Sequence, residues 1–482
     1  MLVVMKFGGT SVGSAAALKQ VIRICNKVHS QGHSAVVVVS AMNGITDLLL
    51  STARKAEAGN TKAAALARQE MLERHNVVFD ELLAGSRHRQ SISAEIGRIL
   101  SEYDALCQSI SVLGELTPRA LDVISGMGER MSVRQVAAIL DRHGMPAQPM
   151  DATQFIVTDD CFGSAVPIMS STTERCRFLL KPMLKQGIVP VVTGFIGATE
   201  SGVPTTLGRG GSDYSATILS RALDADEVWI WTDVNGVMTA DPRIVPDART
   251  IPCLSYSEVG EMAYFGAKVL HPQAIRPARQ GNIPLRILNT FEPDNPGTII
   301  SKEADDSGQT VKAIAAIRDL SLITVEGSGM IGVPGVAART FGAVAHTGTS
   351  VLMISQSSSE QSISFVVPAR ETSQVLDIVE KEMARELERR DIERIWSQDD
   401  IVILAVVGAG MKGIPGISAR IFSALGRRDI NVVAIAQGSS EYNISLVIDL
   451  RDADDAVRCI HEEFRLAVNL EDFQNPQEKE RI

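Results

Sequence analysis

Aromatic residues are scarce, at 4% of 482 positions, so any core has to be built from Val, Ile, Leu, Ala and Met. A hydrophobic content of 45% is enough for that. Cysteine is sparse too. Cys25, Cys107, Cys161, Cys176, Cys253 and Cys459 are scattered without C-x-x-C spacing, which argues against a zinc site or a disulfide framework and reads as reduced thiols in a cytoplasmic protein. No apolar run reaches the length of a membrane span, and the opening M-L-V-V-M-K is too short for the apolar core of a secretion signal. No block of like charge stands out and the formal net charge is −10, which argues against nucleic acid or an anionic membrane as partner. Familiar catalytic signatures are missing: no H-E-x-x-H, no G-x-S-x-G, no G-x-x-x-x-G-K-[ST] loop, no protein-kinase set, and no evident nucleophile–histidine pair. The length leaves room for about two to four domains.

What is present centres on Thr205 to Ala216, T-T-L-G-R-G-G-S-D-Y-S-A. Its three glycines let backbone N–H groups approach an anion, and Ser212 or Asp213 can cap the helix expected to follow. The N-terminus of that helix adds positive partial charge. Arg209 offers a planar fork to a carboxylate or phosphate, while Asp213 is negative. A loop of both signs suits a zwitterionic substrate, a metal–phosphate group, or both. The plain alternative is a strand–helix turn with a surface arginine.

Upstream, the apolar run from Leu2 to Phe7 stops at Gly8-Gly9. A helical pattern follows with Leu18, Val21, Ile22 and Val28 inward, then a buried strand from Ser34 to Ser40. Strand, glycine loop, helix, strand is a βαβ unit, which implies a parallel sheet covered by helices. Lys6 falls at the carboxyl end of the first strand, where open α/β sheets bind ligands, and with Gly8-Gly9 beside it favours a phosphate. Thr46 can offer a hydroxyl to a substrate or sit in an ordinary first helical turn. Glu129, at a helix start, can bind an ammonium or simply favour the helix dipole; Glu115 is a lower-ranked rival. Residues 61–113 read as two long amphipathic helices whose default role is packing. The strand from Glu227 ends in Thr232-Asp233, again at the carboxyl edge, and 283–288 and 298–300 read as closing strands. His271, between Leu270 and Pro272, reads as structural.

After a polar linker at 303–309 an internal repeat appears. Gly327 to Phe341 matches Gly408 to Phe422, and Gln356 to Glu360 matches Gln437 to Glu441, at a constant offset of 81. Over 327–367 and 408–448, 19 of 41 positions are identical without a gap, which makes this a duplicated unit. Each copy reads strand, glycine turn, helix, strand, strand, helix. The second copy has no obvious final strand, so 311–317 is expected to supply its missing edge strand.

Five segments in order, Lys6-Phe7-Gly8-Gly9-Thr10-Ser11, Gly128-Glu129, Thr206 to Asp213, Trp231-Thr232-Asp233-Val234 and Phe265 to Pro272, together with the repeat, resemble the aspartate kinases of the amino-acid-kinase family, with their tandem ACT domains. The likeness covers nearly the whole chain. It implies an α/β amino-acid-kinase fold over 1–305, with a parallel-rich central sheet between helices. Two ferredoxin-like βαββαβ ACT domains would follow, at 311–398 and 399–470, with a polar tail at 471–482. It further implies ATP-dependent phosphorylation of the L-aspartate β-carboxylate to 4-phospho-L-aspartate, the entry step to lysine, threonine and methionine. Mg²⁺ would be co-bound with ATP, and no resident metal site is expected.

The side chain of aspartate, with a reference pKa of about 3.9, is already ionised at neutral pH, so no general base is required. By resemblance, Lys6 and Asp213 are the catalytic pair, with Asp213 organising either Lys6 or the Mg²⁺ water shell. Arg209 takes a substrate carboxylate and Glu129 its ammonium, helped by Thr46, Gly210, Gly211 and Ser212. The nucleotide falls to Lys6, Gly8, Gly9, Thr232, Asp233, Arg243, Lys268 and Val269. Met238 stands where relatives place an aromatic near the adenine. An amino-acid effector, lysine or threonine, is expected at Gly329, Met330, Gly332, Gly335, Gln356 and Ser357. The repeat would also pair chains into a homodimer or higher homo-oligomer. The chain ends at 482 with no appended dehydrogenase, so the expectation is a monofunctional enzyme. Rival readings are another member of the same superfamily or a non-catalytic amino-acid sensor.

Overall fold

The β-branched runs become strands, and Gly or Asx residues close most of them. The computed structural model describes residues 1–60, 62–266, 270–302, 309–438 and 441–468. Two units separate, the first drawn from residues up to 302 and the second carrying the repeat.

In the first unit the strands are β1 (Leu2–Phe7), β2 (Ser34–Val39), β3 (Ala147–Met150), β4 (Val157–Thr158), β5 (Val189–Thr193), β6 (Ile196–Thr199), β7 (Pro204–Thr206), β8 (Glu227–Thr232), β9 (Cys253–Ser255), β10 (Leu285–Asn289) and β11 (Thr298–Ser301). Eight of them form one sheet in the order β3-β5-β2-β1-β8-β10-β11-β9. All its pairings are parallel except β10 with β11. β4, β6 and β7 form a small second sheet that delivers the chain into the glycine loop. Lys6 pairs in register with Val38 and Ile230, which brings the carboxyl ends of β1, β2 and β8 side by side. Leu18, Val21, Ile22 and Val28 are all buried in the core of this unit. Residues 61–113 yield two helices, Lys62–Leu82 and Arg87–Leu113, as their periodicity predicts.

The second unit holds one six-stranded antiparallel sheet: β12 (Ala313–Glu326), β13 (Met353–Gln356), β14 (Ser362–Pro368), β15 (Arg394–Val407), β16 (Ala434–Gln437) and β17 (Asn443–Asp449), in the order β13-β14-β12-β15-β17-β16. β12 and β15 are each 14 residues long, and each serves both copies. Ala313–Ile317 pairs with Ile403–Val407, beside β17 of the second copy. Leu322–Glu326 pairs with Arg394–Gln398, beside β14 of the first. Register shifts lie between Ile317 and Leu322, and Asp319 and its repeat equivalent Asp400 take left-handed backbone (φ 60° and 53°), a conformation Asp tolerates.

Two boundaries therefore differ from expectation. The division at 398/399 falls inside the continuous strand β15. Residues 238–249 and 261–266 group with the repeat-bearing unit instead of with the rest of 1–305. The physical cause is visible for 238–249: Ala240 and Val245 are buried in the core of the second copy, and the Thr239 carbonyl accepts from Ile314 N–H at 2.8 Å. The linker from 303 to 308 and the tail 471–482 lie outside the described residues.

Candidate active site

The sequence places small and polar residues after β1 and β2, and the fold turns these into the walls of a cavity of about 380 Å³. Lys6, Gly9, residues 40–44, Thr46, Asp47, Glu129, Phe195 and residues 208–213 line it. Lys6 and Asp213 meet there, Nζ to Oδ1 at 2.6 Å, with both side chains largely buried. The Lys6 ammonium also lies over Gly8, where a Cβ would stand 3.6 Å from Nζ. Arg209 is exposed at the cavity wall.

Glu129 is the third residue of helix Met127–Arg142 and is only 4% exposed. Burial pushes its carboxyl up to about 7, opposed by hydrogen bonds from the backbone of Ala41 and of Glu129 itself. Its Oε2 has no hydrogen-bond partner among the described residues. A buried, unpaired carboxylate oxygen at a cavity is costly unless a donor arrives to meet it.

The glycine loop differs in detail from the sequence expectation. Helix Gly211–Leu223 is capped by Gly210 in left-handed backbone (φ 69°), so Ser212 and Asp213 lie in its first turn and neither caps it. This frees both side chains for the cavity. A Cβ on Gly210 would come within 2.5 Å of His271 Cβ, and one on Gly211 within 2.6 Å of the Phe195 ring, so close packing demands glycine at both. His271 caps helix Pro272–Gly281 through Nδ1, a structural role, and burial together with the nearby Arg209 charge lowers its pKa. Gly8 also departs from expectation, because its N–H donates to the Trp231 carbonyl at 3.2 Å and is not free for a phosphate. Gly9 lies against the second strand's loop, where a Cβ would sit 2.9 Å from the Ala41 carbonyl.

These features recur in known proteins. The signature described as Amino acid kinase family matches residues 1–289, and that described as ACT domain matches 323–383 and 404–464. The chain belongs to the amino acid kinase family. Within that family it is similar to aspartokinase 2, chloroplastic, of Arabidopsis thaliana, 35% identical over 96% of this chain and 84% of that protein. It is 37% identical to the Arabidopsis bifunctional aspartokinase/homoserine dehydrogenase 2 over 96% of this chain and 51% of that protein. The chain thus spans about half the length of such bifunctional relatives. Among solved structures, E. coli aspartokinase III in complex with aspartate and ADP matches with a TM-score of 0.81 and 30% identity, over 96% of this chain and 99% of that one. The same enzyme with lysine and aspartate matches with a TM-score of 0.76.

For this family member, the cavity gathers Lys6, Gly9, Thr46, Glu129, Arg209, Gly210, Gly211, Ser212 and Asp213, and Gly8, Thr232, Asp233 and Arg243 are not among its lining. Thr232 and Asp233 sit at the end of the neighbouring strand β8, where Thr232 Oγ1 donates to Asp233 Oδ1 at 3.2 Å. Arg243 is exposed and clamped by both oxygens of Asp241. Lys268 and Val269 lie outside the described residues. Phe195, in left-handed backbone (φ 68°), Asn43, Asp47 and the supporting Asp122 were not singled out from the sequence. Phe195 and Asp122 carried no local signal, whereas Asn43-Gly44 is a recognisable turn pair.

A second cavity, of about 330 Å³, opens in the first repeat copy and includes Met330, Gly332, Gly335 and Gln356 of the expected effector set. Gly329 and Ser357 are not among its lining. Gly329 packs against Asp391, where a Cβ would lie 2.5 Å from Cα, and Ser357 closes a turn to Ser362. Glu360, not anticipated, lines this cavity and accepts from Gly332 N–H at 2.9 Å.

Proposed function

We propose that the chain is an aspartate kinase, transferring the γ-phosphoryl group of ATP to the β-carboxylate of L-aspartate to give 4-phospho-L-aspartate. The observation that carries this is the unpartnered, buried Oε2 of Glu129 in the same cavity as Arg209: an anion and a cation for the ammonium and carboxylate of a small amino acid. No histidine is among the described residues that line the cavity, and the reaction requires none, since the attacking carboxylate is already charged. What the site must overcome is repulsion between that carboxylate and the phosphates, and Lys6 is the cation placed to neutralise it. The 2.6 Å contact supports Asp213 as the group that orients Lys6 rather than a metal water shell. Thr46 and Ser212 supply hydroxyls to the amino acid. Lys6 with the Gly9 backbone beside it suits a phosphate chain, and the β8 terminus at Thr232-Asp233 is read as serving the rest of the nucleotide, with Mg²⁺ arriving bound to ATP.

The cavity of the first repeat copy is read as the effector site for lysine or threonine, and the repeat as the surface that pairs chains. Cys25, Cys107, Cys161, Cys176 and Cys459 are thiols outside any disulfide, which supports the reading of a reducing setting. No described helix is long and apolar enough to cross a membrane. Purified chain incubated with ATP and aspartate, glutamate or UMP, with acyl phosphate trapped by hydroxylamine, tests the reading. Product from aspartate alone is expected. Product from glutamate in preference, or nucleoside diphosphate from UMP, would replace it with a sister activity, and no turnover with any would favour a sensor.

A further inference from the structure

Outside the cavity, one buried carboxylate holds the glycine loop from behind. Asp122, in helix Pro118–Ser125, is 3% exposed. Its Oδ2 accepts from the N–H groups of Thr206 and Gly163, each at 2.9 Å, and its Oδ1 accepts the Thr206 hydroxyl at 2.7 Å. A buried charge persists only when its lone pairs are met in this way.

The bonds land on two segments that frame the loop. Thr206 ends β7, and Leu207 to Asp213 follow directly. Gly163 belongs to the turn that packs on Gly208, where a Cβ would meet the Gly163 carbonyl at 3.3 Å. The Ala165 N–H closes the ring by donating to the Thr206 carbonyl at 2.8 Å. Asp122 itself is not among the residues lining the cavity, so it meets neither substrate nor reacting atoms.

We propose that Asp122 is a positioning residue for the amino-acid substrate, fixing Thr206 and Gly163 so that Arg209 enters the cavity at the right distance from Glu129. The inference rests on the aspartate kinase reading. In Asp122→Asn the amide oxygen can still take the two N–H groups, but the amide nitrogen forces the Thr206 hydroxyl to reverse its bond and the charge-assisted bonds become neutral ones, so the clamp weakens while volume is kept.

The test uses the full chain. For Asp122→Asn the KM for aspartate should rise on the order of ten-fold. The KM for ATP should stay within about two-fold, and kcat should fall less than the aspartate KM rises. Thr206→Val, which removes only the hydroxyl leg, should give the same split at smaller size, and Thr206→Ser should restore wild-type values. If Asp122→Asn does not fold, the Thr206 pair decides alone. An aspartate KM unchanged in every variant, or one that rises together with the KM for ATP, overturns the proposal in favour of a merely structural carboxylate. If the wild type makes no acyl phosphate from aspartate, the activity reading falls by itself. Amide hydrogen exchange over 206–213 then reads the clamp without turnover: faster exchange in Thr206→Val than in wild type and Thr206→Ser supports it, and equal rates sink it.

Discussion

At Glu129 burial and the proposed ammonium ligand pull in opposite directions. Its carboxyl is raised from 4.5 to about 7 chiefly by burial, so it is partly protonated near neutrality. The sign follows from the raised value. Without ligand, the contribution of Glu129 to stability is complete below its unfolded pKa and is lost as pH rises through about 7. An arriving ammonium favours the charged form, so aspartate binding should expel a proton below about pH 7 and none well above it. Affinity should climb by about ten-fold per pH unit up to that point and then level off. Calorimetry in two buffers of different ionisation enthalpy measures the released proton directly, and a pH-independent affinity would remove Glu129 from the ammonium role. Lys6 and Arg209 make the complementary case. In the proposed assignment Lys6 meets the moving phosphoryl group and Arg209 aligns the substrate, so Lys6→Ala and Arg209→Ala should each lower kcat/KM by about 10²–10³. Near-normal kinetics in either would cancel its assignment. These residues were legible because a charged side chain at a strand end or in a glycine loop stands out in sequence. Phe195 and Asp122 did not stand out, because their roles come from packing and long-range bonds with no local pattern.

Elements tell the same story one level up. The strands of β1, β2 and β8 and the helices of 62–113 follow from periodicity, since apolar spacing alone decides which face is buried. The use of β15 by both copies did not follow, because a strand that keeps β12 on one side throughout and takes β17 on the other only over Ile401–Val407 looks the same in sequence as one belonging to a single copy. The purpose of the helical pair was also silent in sequence, and the fold brings one of the two helices to the cavity wall. Arg74, in Lys62–Leu82, donates from Nη1 to the Asn43 carbonyl at 3.1 Å, at the cavity wall. Its neighbour His75 bonds through Nδ1 to Gln135 Oε1 at 2.6 Å, and Gln135 Nε2 reaches Met42 Sδ at 3.9 Å. Burial lowers the His75 pKa to about 4, so this link stays uncharged at neutral pH. Arg74→Met should raise the aspartate KM by about three- to ten-fold, with kcat little changed in steady-state assays. No change would return the helices to a purely packing role. For the shared strands, Ala315→Pro removes ladder bonding in β12 opposite Ala405 and should cost about 1–3 kcal/mol. Hydrogen exchange should then show loosening in both copies; loosening confined to one would mean that the shared sheet does not unfold as a unit.

At the scale of the whole chain, two sites of different chemistry are carried together: an anion–cation cavity in the first unit and the 330 Å³ cavity of the first repeat copy in the second. The repeat was visible at once from its offset of 81, and its geometry is duplicated in fine detail. Glu360 and Glu441 share left-handed backbone (φ 59° and 57°), and each accepts from the glycine N–H at the same repeat position, Gly332 at 2.9 Å and Gly413 at 2.6 Å. Sequence could not say which amino acid fills such a cavity, because backbone donors in a glycine turn recognise the α-carboxylate common to all of them. On the proposed effector reading, selectivity falls to side chains in the cavity wall such as Gln356 and Glu360. Thermodynamics nevertheless fixes one relation in advance. If an effector weakens aspartate binding by some factor, aspartate must weaken effector binding by that same factor. Titration of the full chain with lysine and with threonine, each with and without saturating aspartate, should show one of them binding with a Kd that rises with aspartate. The reverse titration should give an equal ratio. Absence of binding by lysine, threonine and their mixture would end the effector assignment. Unequal ratios would mean that a further equilibrium, such as a change in assembly, is being driven at the same time.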